Sequence, residues 1–224
     1  CIRDSPYPVL CKPAKGTGGR GIFIAQNPQE LERFFSPSPH PEQEFSEVSR
    51  FHQTTYKGQL RNFVYSNFDG PYLVQEFLNG PCISVCGISA KNGTFVDLIY
   101  DIGVMPPPFR SETHYITPSY YLDKRKEIEE IIQKIDRAYD IPLGPFMADF
   151  VFSKNQFYLV DFSPRISISG IKLINKIFKS CQYGIRVLDA FMGKNLNKID
   201  EIKEHTGLWY FDIPTGKIES IDIP

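Results

Sequence analysis

The sequence predicts an α+β fold built on antiparallel sheets. Two observations point to it. Strand-like runs come in pairs joined by short turns: residues 83–89 and 94–101 flank Asn92-Gly93, and residues 146–152 and 157–162 flank Lys154-Asn155-Gln156. Helical patterns occupy separate stretches. In the stretch from Asp123 to about Tyr139, Ile128, Ile131, Ile132 and Ile135 fall on one face.

The elements follow in order. Residues 8–12 read as a strand ended by Pro13, and residues 22–25 as a second. Asn27 caps a short helix, with Pro28 at its first position and Glu30 completing a capping box. Residues 36–41 alternate serine, proline and histidine and predict a loop, and residues 42–70 are polar and ambiguous. A strand is expected over 72–78, ahead of the first hairpin. Residues 102–122 form a long proline-rich segment, too long for a plain connection, and its Arg110, Glu112 and His114 are candidates for substrate selection. Asp123 is the expected cap of the isoleucine-striped helix. Helices over 171–182 and 185–193 and short strands from Leu208 complete the chain.

Composition excludes several function classes. With 25 basic and 26 acidic residues the net charge is −1, without the basic surplus of a duplex nucleic-acid binder. No apolar run approaches the roughly 20 residues that span a bilayer. Five cysteines, at 1, 11, 82, 86 and 181, form no C-x-x-C pair, which fits packed, reduced thiols in a cytoplasmic protein. The chain opens on Cys1 and reaches an apolar strand at once, so a fragment or processed chain is expected.

Two motifs carry chemistry. Residues 16–21 read Gly-Thr-Gly-Gly-Arg-Gly. A dinucleotide-binding loop of this pattern opens a helix, whereas here Ile22-Phe23-Ile24-Ala25 reads as a strand, and no Lys-Ser/Thr ends the loop. Strand, glycine loop, strand is instead a flap whose amides can close over phosphates, since glycine brings no Cβ between amide and ligand. Lys12, just before the flap, is placed to neutralise phosphate charge; an isolated strand-end lysine is more often merely solvated.

The second motif sets Asp149 and Asp161 inside otherwise apolar strands. A three-residue loop at 154–156 would place the two acids opposite each other, with Val151 opposite Leu159 and Ser163 on that same face. Phe150, Phe152, Tyr158 and Val160 would then face the core. A two-residue loop would throw the acids onto opposite faces. Opposed carboxylates about 5 Å apart repel unless a cation or proton lies between them. Mg²⁺ suits the pair, because it takes a few carboxylates plus phosphate oxygens. Loop capping or pairing with a lysine is the plainer alternative for either acid.

Together, residues 8–21, 72–87 and 144–165 resemble the core motifs of the ATP-grasp superfamily, in the carbamoyl-phosphate-synthetase, biotin-carboxylase and amino-acid-ligase group. The resemblance implies two α+β lobes with antiparallel sheets clasping ATP. Residues 1–76 would be part of the nucleotide-binding lobe and residues 77–224 the metal-bearing lobe, with an upstream substrate domain or partner chain expected before Cys1. It implies that Lys12 and the loop of Gly16, Thr17, Gly18, Gly19 and Gly21 hold the phosphates. Gln75, Glu76, Phe77 and Leu78 would bind adenine, with Val151 packed beneath it. Asp149, Asp161 and Ser163 would ligate Mg²⁺ (or Mn²⁺), and Arg165 would act with Lys12 in catalysis. The implied reaction joins a small-molecule carboxylate to an amine through an acyl phosphate, in an enzyme with no nucleic-acid or membrane partner and with room for a homo-oligomer. A non-catalytic nucleotide-binding module derived from such an enzyme is the alternative. Three positions depart from the pattern. Cys82 stands where a ribose-binding glutamate is usual, Ser163 replaces an asparagine, and Asp161 is shorter than the usual glutamate.

Overall fold

A computed structural model describes residues 6–14, 22–35, 71–103, 114–178, 182–199 and 205–209. The chain divides into two compact units, with the break between Phe77 and Leu78. The first contains β1 (Val9–Pro13), β2 (Phe23–Ala25), α1 (Pro28–Phe35) and β3 (Tyr72–Glu76), with the strands in the order β2-β1-β3, all antiparallel. Among the described residues, Val9, Cys11, Ala25 and Leu31 are buried in its core. The expected cap of α1 is present. Asn27 Oδ1 accepts from the Glu30 amide at 2.9 Å, while the Glu30 carboxylate reaches back to the Gln26 amide at 2.8 Å, one residue before the cap.

The second unit is a six-stranded sheet in the order β8-β7-β4-β5-β6-β9. Its strands are β4 (Cys82–Ala90), β5 (Gly93–Asp101), β6 (His114–Thr117), β7 (Gly144–Ser153), β8 (Gln156–Ser163) and β9 (Thr206–Trp209). Three helices cover it: α2 (Arg125–Tyr139), α3 (Ile168–Ile177) and α4 (Gln182–Phe191). One face packs Ile83, Val85, Phe146, Ala148 and Phe150 against Ile128, Ile132 and Ile135 of α2. The other packs Cys86, Ile88, Leu98 and Tyr100 against Leu173 and Ile174 of α3 and Val187 and Ala190 of α4. Covered on both sides, β4 is buried almost throughout, and it reads as a nearly continuous apolar run rather than an alternating one.

Several expectations are corrected. Asp123 does not cap α2: a 3-10 turn (Leu122–Lys124) precedes the helix and no side chain caps either element. The segment 102–122 is not wholly irregular, because β6 lies within it and bridges β5 to β9. The helix expected over 171–182 begins three residues earlier, where Ser167 accepts from the Gly170 amide at 3.0 Å and caps α3. Residues 36–70, the flap at 15–21, Arg110, Glu112, Cys1, Cys181 and the tail beyond Trp209 lie outside the described residues. Among the described residues, no helix is long and apolar enough to cross a membrane.

Candidate functional site

In the first unit, Val9 and Cys11 point into the core, so alternation puts Leu10 and Lys12 on the opposite face of β1. Across β3, Lys12 stands opposite Leu73 and Leu10 opposite Gln75. Lys12 and Gln75 therefore share the face turned away from the core, where Leu73 is 48% exposed. Glu76, exposed at the strand end, pairs with Val9. The Phe77 amide donates to the Pro8 carbonyl at 3.0 Å, so that amide is committed to the sheet. Gly16, Thr17, Gly18, Gly19 and Gly21 lie outside the described residues.

In the second unit Asp149 stands opposite Asp161. The route to this register differs from the expected one. The loop has two residues: Ser153 pairs with Gln156, and Lys154 and Asn155 adopt positive φ of 50° and 61°, as a type I′ turn requires. Phe152 then pairs with Phe157, Val151 with Tyr158 and Phe150 with Leu159. Left alone, this register would oppose Asp149 to Val160. A bulge intervenes, with Val160 as the extra residue of β8, and restores the acid pair. The corrections follow from it. Leu159 leaves the acids' face for the face of Phe150, Tyr158 joins the face of Val151, and Val160 is a partly exposed bulge residue rather than a core one.

Val151 is buried on β7 two residues from Asp149, hence on its face, and pairs with Cys82. Ser163, two residues beyond Asp161, pairs with Met147. Arg165 is exposed and donates to the Ile166 carbonyl at 3.1 Å. Leu78 begins the segment leading to β4, whose Pro81 carbonyl accepts from the Phe152 amide at 2.9 Å. His114, on β6, stacks on Trp209 of β9 with ring centroids 6.2 Å apart.

The acids differ in setting. Asp161 is exposed near the end of β8, an edge strand of the sheet. Asp149 is half-buried and its Oδ1 accepts from Ser84 Oγ at 2.6 Å. Nearby, burial and then the Asp149 charge push the Cys82 thiol up to about 11. Cys82 is therefore neutral at physiological pH and cannot replace an anionic glutamate. Among the described residues, no cluster of three or more His, Cys, Asp or Glu side chains could hold a metal ion. Two carboxylates on one partly open face fit a Mg²⁺ whose remaining ligands arrive with a phosphate-bearing substrate, rather than a cage built by protein alone.

A profile of the ATP-grasp domain matches residues 5–172. The chain belongs to the ATP-grasp family. Solved structures agree on the ATP-grasp fold. The L-amino acid ligase of Bacillus licheniformis superposes with a TM-score of 0.67 at 20% identity, covering 94% of this chain and 48% of the ligase. Biotin carboxylase from Campylobacter jejuni, in complex with β,γ-ATP, gives 0.66 at 18% identity, covering 90% and 41%. N5-carboxyaminoimidazole synthetase from Staphylococcus aureus, with ADP, gives 0.61 at 17% identity, covering 92% and 46%. This ATP-grasp chain thus spans less than half the length of each. Sequence reasoning missed Ser84, whose hydroxyl donates to Asp149; the available signal was a serine inside the apolar run Ile83-Ser84-Val85.

Proposed function

We propose that the chain is the nucleotide- and metal-handling part of an ADP-forming carboxylate–amine ligase. The opposition of Asp149 and Asp161 on a partly open sheet face carries this reading. Like charges are costly there unless a cation joins them. A carboxylate oxygen of the substrate would form a bond to the γ-phosphorus of ATP as the bridging oxygen leaves with ADP. An amine nitrogen would then attack the acyl carbon, displacing inorganic phosphate and losing a proton to give the amide. Lys12 and the loop of Gly16, Thr17, Gly18, Gly19 and Gly21 would hold the phosphates, and Gln75, Glu76, Phe77, Leu78 and Val151 the adenine. Asp149, Asp161 and Ser163 would hold Mg²⁺ or Mn²⁺, which supplies charge neutralisation, and Arg165 would steady the reacting groups. The names of the Bacillus licheniformis and Staphylococcus aureus proteins favour C–N bond formation. A cytoplasmic setting and small-molecule substrates belong to this proposal.

The test is positional isotope exchange in ATP labelled at the β,γ-bridging oxygen, using the full-length protein and a panel of carboxylates without amine. Exchange that requires a carboxylate, followed by ADP release on adding an amine, is expected. Nucleotide binding that ignores magnesium, with no exchange, overturns the reading. The neutral Cys82 thiol and Ser163 favour a second one, a non-catalytic nucleotide-binding module, which predicts magnesium-dependent binding without exchange.

A further inference from the structure

The two acids are set unequally in the sheet. Asp161 is exposed on β8, at the sheet edge, while Asp149 lies one strand further in, on β7. The next strand, β4, pairs with β7 on one side and β5 on the other. Its Ser84 stands directly opposite Asp149, within a register to β7 that runs unbroken from Cys82 to Ser89. Directly opposed residues share a face, so the two side chains rise from the same side of the sheet. There Ser84 Oγ donates to Asp149 Oδ1 at 2.6 Å. That length falls within the about 2.5–2.7 Å typical of a hydroxyl bonded to a carboxylate anion.

Donor and acceptor differ in burial. Ser84 is 1% exposed, whereas Asp149 is half-buried. The donor is thus shut inside the sheet, and the acceptor reaches the partly open face. A hydroxyl buried in this way costs free energy unless it is bonded, and Ser84 has one proton to give. With β4 fixed by a ladder on each side, the Ser84 oxygen has little freedom to follow a moving carboxylate. The neighbours along the same face have other roles. Val151 is apolar and buried, and Cys82, which pairs with it, directs its thiol at the Gly80 carbonyl, 3.9 Å away. From β4, the group that reaches Asp149 is the Ser84 hydroxyl. A carboxylate already aimed spares an incoming cation the cost of freezing that side chain.

We propose that Ser84 is a positioning residue of the metal site: its buried hydroxyl, fixed on β4, holds the Asp149 carboxylate oriented for the cation. The proposal rests on the metal-site reading of Asp149 and Asp161, and its test separates the two. In the full-length protein, the Kd of Mn·ADP, read by water-proton relaxation, is compared with the Kd of ADP in EDTA. Asp149→Asn should remove most of the metal-dependent gain. Ser84→Ala should weaken Mn·ADP about 10-fold, the lower end of losses for groups behind a metal ligand, and leave ADP in EDTA unchanged. Should Ser84→Ala fail to fold, Ser84→Cys, which keeps nearly the same shape and offers only a weak S–H donor, carries the same expectation. Because Ser84 acts through Asp149, adding Ser84→Ala to Asp149→Asn should cost no further affinity for Mn·ADP. A Ser84 loss that persists in full beside Asp149→Asn, or that appears equally in EDTA, would mean general loosening and overturn the positioning role. An unchanged Mn·ADP Kd in the Ser84 variant, with the Asp149→Asn effect present, overturns that role and leaves the metal site standing. An undiminished metal gain in Asp149→Asn overturns both.

Discussion

Asp161 stands opposite Asp149 because β8 carries one extra residue, Val160, between Leu159 and Asp161. A bulge costs ladder bonding and leaves a residue unpaired. Here its yield is a pair of like charges, which by itself is unfavourable. The arrangement makes physical sense where a cation supplies the missing attraction. Asp161→Asn is therefore expected to hold or raise apo stability, by about 0.2–1 kcal/mol as cross-strand repulsion is relieved. The thermal shift given by Mg-ADP over ADP should shrink. Melts of both proteins with each ligand decide it; a destabilised apo protein with an undiminished magnesium shift would mean that Asp161 is a structural partner.

A second bulge has a different use. Asp97 is the extra residue of β5, between Val96 opposite Gly87 and Leu98 opposite Cys86. Its side chain is fully buried and both oxygens meet the Arg186 guanidinium of α4, at 3.0 and 3.1 Å. Arg186 also donates to the Asn197 carbonyl at 2.7 Å. Asp97→Ala would leave a largely buried guanidinium short of its counter-charge and should cost about 3–5 kcal/mol in urea unfolding. Removing Lys194 from its ion pair with Asp189, where the lysine side chain is 57% exposed, should cost under about 1 kcal/mol. Comparable losses would show that Asp97 is not an anchor between sheet and helix.

The acids were legible in the sequence because alternation makes a charged residue in an apolar strand conspicuous. Their register was not. Lys154 and Asn155 both take the left-handed conformation usually given to glycine, so the turn looked one residue longer than it is. Val160 resembles any strand residue, and only pairing with β7 reveals it as the bulge. The two errors cancelled at Asp161 and remained visible at Tyr158 and Leu159. Ser84 reaches Asp149 through strand order, and Tyr100 reaches Ser167 through the docking of α3, neither of which local pattern encodes. The same holds for β6 and β9, joined from distant parts of the chain through His114 and Trp209.

Cysteine chemistry gives a pH-dependent prediction. Burial, then the neighbouring Asp149 charge, pushes the Cys82 thiol up to about 11, and burial is the main force taking Cys86 to about 12. An ordinary thiol titrates near about 8.5, so at pH 8 Cys82 should alkylate on the order of a hundredfold more slowly than a free cysteine. Its rate should climb about tenfold per pH unit until about pH 11. Asp149→Asn removes the second push and should accelerate it. The linked stability has a definite sign: the folded state favours neutral thiols, so their contribution is full below about pH 8.5 and is lost as pH rises toward the folded values. Mass spectrometry of the Cys82 peptide after timed alkylation tests the first point, and urea melts at pH 8 and pH 10 the second.

The same substitution at two glycines should act with opposite sign. Gly80 follows the segment of Gln75, Glu76, Phe77 and Leu78. A Cβ there would lie 2.0 Å from the Phe152 carbonyl oxygen and 3.4 Å from Val151 Cγ1. The obstacle is backbone, pinned from both sides: the Phe152 amide donates to the Pro81 carbonyl at 2.9 Å, and Ser153 Oγ to the Asn79 carbonyl at 3.0 Å. No rotamer change can relieve the clash, so Gly80→Ala must prise residues 79–81 away from β7. The expected cost is at least about 1–3 kcal/mol, the range for overpacking. If Val151 lies beneath adenine as proposed, ADP binding in EDTA should weaken, while the further gain from magnesium, assigned in that proposal to the acids, should persist. Gly184 lies in α4 with nothing within 4 Å of an added Cβ. There alanine improves helix propensity without a clash, and Gly184→Ala should stabilise by about 0.5–1 kcal/mol. Urea unfolding of the two variants, with ADP titrations of Gly80→Ala, measures all of this. Equal effects on stability, or loss of the magnesium gain in Gly80→Ala, would show that the segment after Leu78 does not hold the adenine side of the site independently of the acid pair.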